Sequence, residues 1–181
     1  EKGIVTVEDA WQGACDIVAE NISDSAEVRK LLRKELWNAG ELVSELIIDE
    51  KEAPEFLQYR DYSEPVRQLP PHRILAMNRG EDKKALKINL RCPDEKLIAK
   101  VAQKLNLKEQ SPFYTYYHNA LTDSYKRLLL PSLERELRNE LTEKAEKQAI
   151  SVFAANLRQL LLTQPISGHT VLGLDPGYRT G

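Results

Sequence analysis

Between residues 131 and 163 apolar side chains recur at Leu133, Leu137, Leu141, Ala145, Ala149, Val152, Phe153, Leu157 and Leu160. Steps of three and four place them on one stripe of an α-helix. The other faces carry acid-before-base pairs four apart, Glu134–Arg138, Glu140–Lys144 and Glu143–Lys147, the better order on a helix. Pro131 suits a first turn, where a missing N–H costs nothing, and Pro165 with Gly168 closes the other end. The pattern predicts a helix about 50 Å long, and such a stripe needs a second helical layer to cover it.

The rest of the chain supplies helices for that layer. Thr6 followed by Asp9 is a variant capping box, and Val7, Ala10, Trp11, Ala14, Ile17, Val18 and Ile22 follow at helical spacing. Ser23 or Asp24 is expected to cap a second helix with the face Val28, Leu31, Leu32, Leu36 and Trp37, ended by Gly40 as its C′ residue. Residues 41–48 read as a strand because Gly40 stops the helix before them. A short helix is expected around Phe56, Leu57 and Tyr59, and Pro65, Pro70 and Pro71 mark a loop. Residues 71–80 read as a helix stopped by Gly80. Leu86, Ile88 and Leu90 then alternate with Lys87 and Asn89, a half-buried strand whose nearby partner is 41–48. Pro93 and Asp94 open a helix carrying Leu97, Ile98, Val101 and Leu105. Ser111 and Pro112 open another, running to Leu130, where Pro131 disfavours helical geometry and predicts a break or kink. The predicted class is mainly α: a helical, bundle-like region with one very long helix and a small β element.

Composition narrows the function classes. With 41% hydrophobic and 30% charged residues the chain reads as globular, and its longest apolar runs are too short to span a bilayer. Cys15 and Cys92 stand far apart with no partner motif, which fits reduced thiols better than a disulfide or a zinc site. The chain opens on Glu1 and its single methionine is Met77, so a piece of a longer protein is expected. Charge is uneven. Residues 1–60 hold 7 basic and 14 acidic side chains, and residues 61–181 hold 19 and 14. The first part repels nucleic acid, and the second offers at most a local basic patch.

Val171-Leu172-Gly173-Leu174-Asp175-Pro176-Gly177 is an apolar strand pattern ending in a carboxylate and a glycine turn. In RNase-H-type nucleases a first-strand aspartate helps hold divalent metal, but that chemistry needs several carboxylates. Asp175 stands alone, so a turn-stabilising hydrogen bond is the simpler role. Arg73 and Arg79 could clamp a phosphate, although six residues apart they lie on different sides of a short helix. His72, His118 and His169 lack metal-ligand spacing. Tyr114, Tyr116 and Tyr117 could stack bases, but at helical spacing packing is the commoner use. No phosphate-binding loop, dinucleotide fingerprint or nucleophile elbow is present.

Three segments taken together resemble a known family. They are Ser63-Glu64-Pro65 with the run from Pro71 to Glu81, the run from Ala145 to Leu157, and the run from Val171 to Gly181. In order and over essentially the whole chain, they are similar to the Tex family of bacterial transcription accessory proteins. The resemblance implies a cytoplasmic, multi-domain, nucleic-acid-binding protein with a helical region, a resolvase-like RNase-H-fold domain, helix-hairpin-helix elements and a C-terminal oligonucleotide-binding barrel. It also implies a eukaryotic relative that works with RNA polymerase and nucleosomes. On this reading residues 1–166 are the central helical region and 167–181 the first strand of the RNase-H-like domain. The leading expectation is a scaffold without catalysis, cofactor or metal. Its partner is RNA or DNA through the full-length protein, with the transcription machinery as a further partner. Arg73, Arg79 and Arg179 are the candidate nucleic-acid contacts. The rivals are a resolvase-type nuclease with Asp175 as metal ligand, and a protein-interaction module using the acidic helices near residues 7–37.

Overall fold

The computed structural model describes residues 6–164 and 167–174. Helix α1 (Val7–Asp24) begins with the expected box: Asp9 N–H donates to Thr6 Oγ1 and Thr6 N–H to the Asp9 carboxylate. Helix α2 (Ala26–Ala39) is capped by Ser25, one residue beyond the expected positions, which accepts from Val28 N–H. Gly40 ends it with an extended backbone rather than the left-handed one expected. Space selects this glycine, because a Cβ there would stand 2.4 Å from Leu36 O and 3.2 Å from Leu90 Cδ1.

Strand β1 (Glu41–Leu46) is the centre of a three-stranded antiparallel sheet, flanked by β2 (Asp61–Pro65) and β3 (Leu86–Arg91). The β1–β3 pairing follows the sequence reading, with Leu42 opposite Leu90 and Ser44 opposite Ile88. The second partner, β2, falls where the sequence predicts the end of a helix and a proline loop. It is an outer strand whose side chains nowhere become fully buried, so it lacks the apolar alternation that marks a strand. Pro65 closes it, a position where a missing donor is tolerated. The expected short helix is a 3-10 turn at Pro54–Tyr59. The Tyr59 carbonyl accepts from the buried Ser44 hydroxyl at 2.7 Å.

Helix α3 (Pro71–Asp82) runs through Gly80 rather than stopping there. Its end is a Schellman closure. Ala85 N–H bonds to Gly80 O and Lys84 N–H to Glu81 O, both at 2.8 Å, and Lys84 takes the left-handed position at φ 56°. Helix α4 (Asp94–Lys104) buries Leu97, Ile98 and Val101 as expected. It closes the same way around Asn106.

Helix α5 (Tyr114–Asp123) does not break before the long helix. A π-helical segment, Ser124–Leu129, joins it to α6 (Leu130–Leu161) in one run of 48 residues, about 70 Å long. Leu130 N–H reaches back five residues to Tyr125 O. In an α-helix the Pro131 ring would clash with the Arg127 carbonyl, which it could not satisfy. The wider π turn moves that carbonyl aside, so the expected interruption is absorbed as a register change. The Ser124 hydroxyl in this segment donates to Ala19 O of α1 at 2.7 Å, fully buried.

The α6 stripe is covered only at its root. Leu133, Leu137, Leu141 and Ala145 are buried against α2, α3 and their neighbours. The Glu136 carboxylate bridges to α2, accepting from Arg33 Nη2 at 2.5 Å and Arg29 Nη2 at 3.0 Å. Those hydrogen bonds, that to Arg33 first, hold the carboxyl below its usual range against the opposing effect of burial. Two of the expected pairs form, Glu140–Lys144 and Glu143–Lys147, each at 2.6 Å. The third does not: Arg138 pairs with Glu81 of α3, and Glu134 instead accepts the Leu90 N–H on the edge of β3 at 3.0 Å. Beyond Ala145 the rest of α6 is exposed, with Ala149, Val152 and Phe153 flanking a shallow groove beside Pro71, His72 and Leu75 of α3. There Ile150, Phe153, Leu160 and Leu161 are exposed. After α6, residues 171–174 carry no regular secondary structure and are exposed. A strand needs a ladder partner, and among the described residues none lies beside them.

Candidate nucleic-acid interface

Arg73 and Arg79 both project from α3 but meet different elements. Arg73 Nη1 donates to Tyr62 Oη at 2.6 Å and Glu64 Oε2 at 3.0 Å, and its guanidinium lies 5.0 Å from the Tyr62 ring centroid. It fastens α3 to β2, and Glu64 offsets its charge. Arg79 lines a cleft of about 710 Å³ between α3 and α6. Across that cleft Asn78 Nδ2 donates to Thr142 Oγ1 at 2.8 Å, and Arg138 is held by Glu81. Arg79 and Arg135 make no hydrogen bond or ion pair among the described residues, so two guanidinium groups face the cleft with donors to spare. The sequence reading missed Arg135. Its signal was a polar face of α6, Arg135, Arg138, Asn139 and Thr142, at steps of three and four.

The cleft is not strongly basic. Asp82, Glu134 and Glu146 line it with Arg79 and Arg135, so among the described residues carboxylates outside any ion pair outnumber the arginines. Backbone affinity scales with the number of phosphates neutralised, and two arginines facing three carboxylates supply little of it. Arg179 and Asp175 lie outside the described residues. His72 lines a shallow groove with Leu75, Ala149 and Phe153, His118 lies against the Tyr114 ring, and among the described residues no cluster could hold a metal ion.

One further group of reactive side chains is a packing device. Cys92 Sγ and Tyr125 Oη both reach Asp94 Oδ1, at 3.1 and 2.8 Å, tying the start of α4 to the π segment. Burial pushes the Cys92 thiol up to about 11 and raises the Tyr125 phenol too. A group whose pKa rises by about two units holds about a hundredfold less thiolate below that range. Iodoacetamide at pH 8 is therefore expected to alkylate Cys92 about a hundredfold more slowly than a free small-molecule thiol, with the rate still climbing past pH 10. Peptide-resolved mass spectrometry checks this, and a rate at pH 8 equal to that of the free thiol would contradict it.

Known proteins place this architecture. A family model described as Tex central region-like matches residues 1–153. The uncharacterized protein YdcI of Bacillus subtilis is 42% identical over 100% of this chain and 26% of its own length. Protein tex of Bordetella pertussis is 35% identical over 100% of the chain and 25% of its own length. The human S1 RNA-binding domain-containing protein 1 is 35% identical over 99% of the chain and 19% of its length. The chain thus spans about a quarter or less of these relatives. Among the described residues no helix is long and apolar enough to cross a membrane. With a family match over most of its length and relatives aligned end to end, this chain belongs to the Tex family, in the part described as its central region.

Proposed function

We propose that this chain is the non-catalytic helical scaffold of a cytoplasmic, nucleic-acid-binding transcription accessory protein. Residues 1–166 form the scaffold, and 167–181 open a resolvase-like RNase-H-fold domain. The observation that carries the reading is the 48-residue helix. Its middle is clamped by α2 and α3 and its stretch beyond Ala145 carries no buried residue, the geometry of a strut rather than of a reaction cleft. Family membership supports the accessory role, and the name of the human relative supports RNA as the partner of the whole protein. In this reading Arg73, Arg79 and Arg179 contribute secondary phosphate contacts, and the transcription machinery is a further partner of the parent.

The test compares the chain with its full-length parent. The isolated chain is expected to bind RNA or DNA no tighter than about 10 μM at physiological salt, within the non-specific range. The parent should bind far more tightly. Arg79→Ala should weaken the residual binding of the chain, whereas nanomolar, salt-resistant binding by the chain alone would overturn the assignment. Asp175→Asn in the parent should leave affinity unchanged and remove no cleavage. Metal-dependent cleavage abolished by that substitution would establish a nuclease instead.

A further inference from the structure

Where α1 packs along α5, three aromatic rings collect at the surface. The Trp11 indole stacks on Tyr116 with centroids 4.8 Å apart and planes at 16°, and the Phe113 ring lies 6.2 Å from Trp11. All three are exposed, Phe113 by 56%. With Ala14, Val18 and Tyr117 they line an apolar notch of about 180 Å³. Grouped exposed aromatics are uncommon unless something covers them. The notch is smaller than the roughly 300–1,000 Å³ of small-molecule sites, so it suits one anchoring side chain.

The charge around the notch selects the occupant. Helix α1 carries Glu8, Asp9, Asp16, Glu20 and Asp24 and no lysine or arginine, and α5 adds Asp123 and again no lysine or arginine. Glu8, Asp16 and Asp123 line an adjoining groove of about 550 Å³. Asp123 is chelated by Arg127, whose charge also reaches Asp16 and Glu20, and Asp16 accepts from Gln12. One guanidinium is set against these carboxylates, and Glu8 makes no hydrogen bond or ion pair among the described residues. The face is therefore both apolar and anionic. A nucleic acid is repelled by it, and so is the same face of a second copy.

We propose that the α1–α5 cleft docks a basic peptide segment of a partner protein, with one large apolar side chain in the Trp11–Phe113–Tyr116 notch and flanking lysines or arginines along the carboxylates. An incoming cation can also lie on the open face of the aromatic cluster, a contact strengthened as water leaves. This inference does not depend on the nucleic-acid reading, which is tested on different residues.

The probe is a labelled synthetic peptide with lysines and arginines around a single Leu-Phe pair, titrated with the 181-residue chain and followed by anisotropy. A peptide with the same apolar pair flanked by glutamates is the control. The basic peptide is expected to bind and to shift tryptophan emission, and the acidic one to stay free. Trp11→Ala should weaken binding about tenfold or more, the scale of an aromatic anchor. Phe113→Ala, outside α1, should weaken it in the same direction. Glu8→Gln with Asp16→Asn should weaken it several-fold and flatten its salt dependence. Circular dichroism confirms that each variant is folded. Equal binding of the two peptides overturns the proposal. So does binding indifferent to both aromatic substitutions, or no binding at millimolar peptide. A dimer in sedimentation that Trp11→Ala dissolves would assign the cleft to a second copy, and RNA binding lost in that variant would assign it to nucleic acid. Either result also overturns the peptide.

Discussion

Leu137→Asp is expected to lower the stability of this chain by about 4 kcal/mol, while Phe153→Asp, on the same helical stripe, changes it by less than about 1 kcal/mol. Leu137 is 4% exposed and packs in the core with Leu133 and Leu141, whereas Phe153 is 67% exposed. Removing the leucine forfeits about 1.5–3 kcal/mol of burial. The aspartate must then either strip its charge of water or take up a proton, and each adds to the loss. At position 153 the carboxylate stays hydrated and only the small intrinsic helix preference changes. A domain of this kind has about 5–15 kcal/mol to lose, so the first variant should melt far earlier and the second almost unchanged. Thermal and urea unfolding followed by circular dichroism measures both. Comparable losses at the two positions would mean that the distal half of α6 is folded back against the body, and no loss at Leu137 would dismiss the core described here.

The two substitutions also mark what hydrophobic spacing can and cannot convey. The stripe from Leu133 to Leu160 was legible because period reports which face of a helix is apolar. It carries no information on where the covering layer ends. The buried stretch ends at Ala145, and beyond it, among the described residues, α6 has only the first turn of α3 beside it, with Pro71, His72 and Leu75 along a shallow groove against Ala149, Val152 and Phe153. Two starts were legible for the same local reason: Thr6 and Pro71 act within one turn of themselves, whereas the second cap fell on Ser25, one residue past the positions expected. Strand β2 was not, since an outer strand of the sequence Asp-Tyr-Ser-Glu-Pro acquires its identity from Glu41–Leu46 across the ladder. The π segment was half legible. Pro131 announced a conflict, but how a long helix resolves it depends on the packing of Ser124 on Ala19 and of Tyr125 on Asp94, over a hundred and about thirty residues away in sequence. The candidate interface divides likewise. Arg73 and Arg79 were visible as cations on a short helix. That Glu64 occupies one, while the other faces Arg135 across a cleft, follows only from how α3 packs between β2 and α6.

Gly80→Val is expected to cost about 2–4 kcal/mol, the second-largest single effect foreseen for this chain. In the sequence Gly80 looked like a helix stop, and a stop would tolerate change modestly. In the fold it lies inside α3 with helical φ, so its conformational freedom is not what is used. A Cβ at this position would sit 2.5 Å from Leu86 Cδ1, 2.7 Å from Leu86 Cγ and 3.2 Å from Phe56 Cδ1. Leu86 is the first residue of β3, and both Leu86 and Phe56 are buried. Neither can swing into solvent, so α3 must lift off the sheet or the leucine must leave its rotamer. Valine adds two methyl groups to that conflict. Even Gly80→Ala should destabilise, by about 1 kcal/mol, although alanine is favoured over glycine in a helix by about the same amount. The matched control is Gly13→Ala on α1, where no atom lies within 4 Å of the new Cβ. There the helix preference acts unopposed and stability should rise by about 0.5–1 kcal/mol. Opposite signs for the two alanine substitutions, read as unfolding midpoints under identical conditions, are the expected outcome. If Gly80→Ala instead stabilised the chain as much as Gly13→Ala, the close approach of α3 to β3 would be wrong.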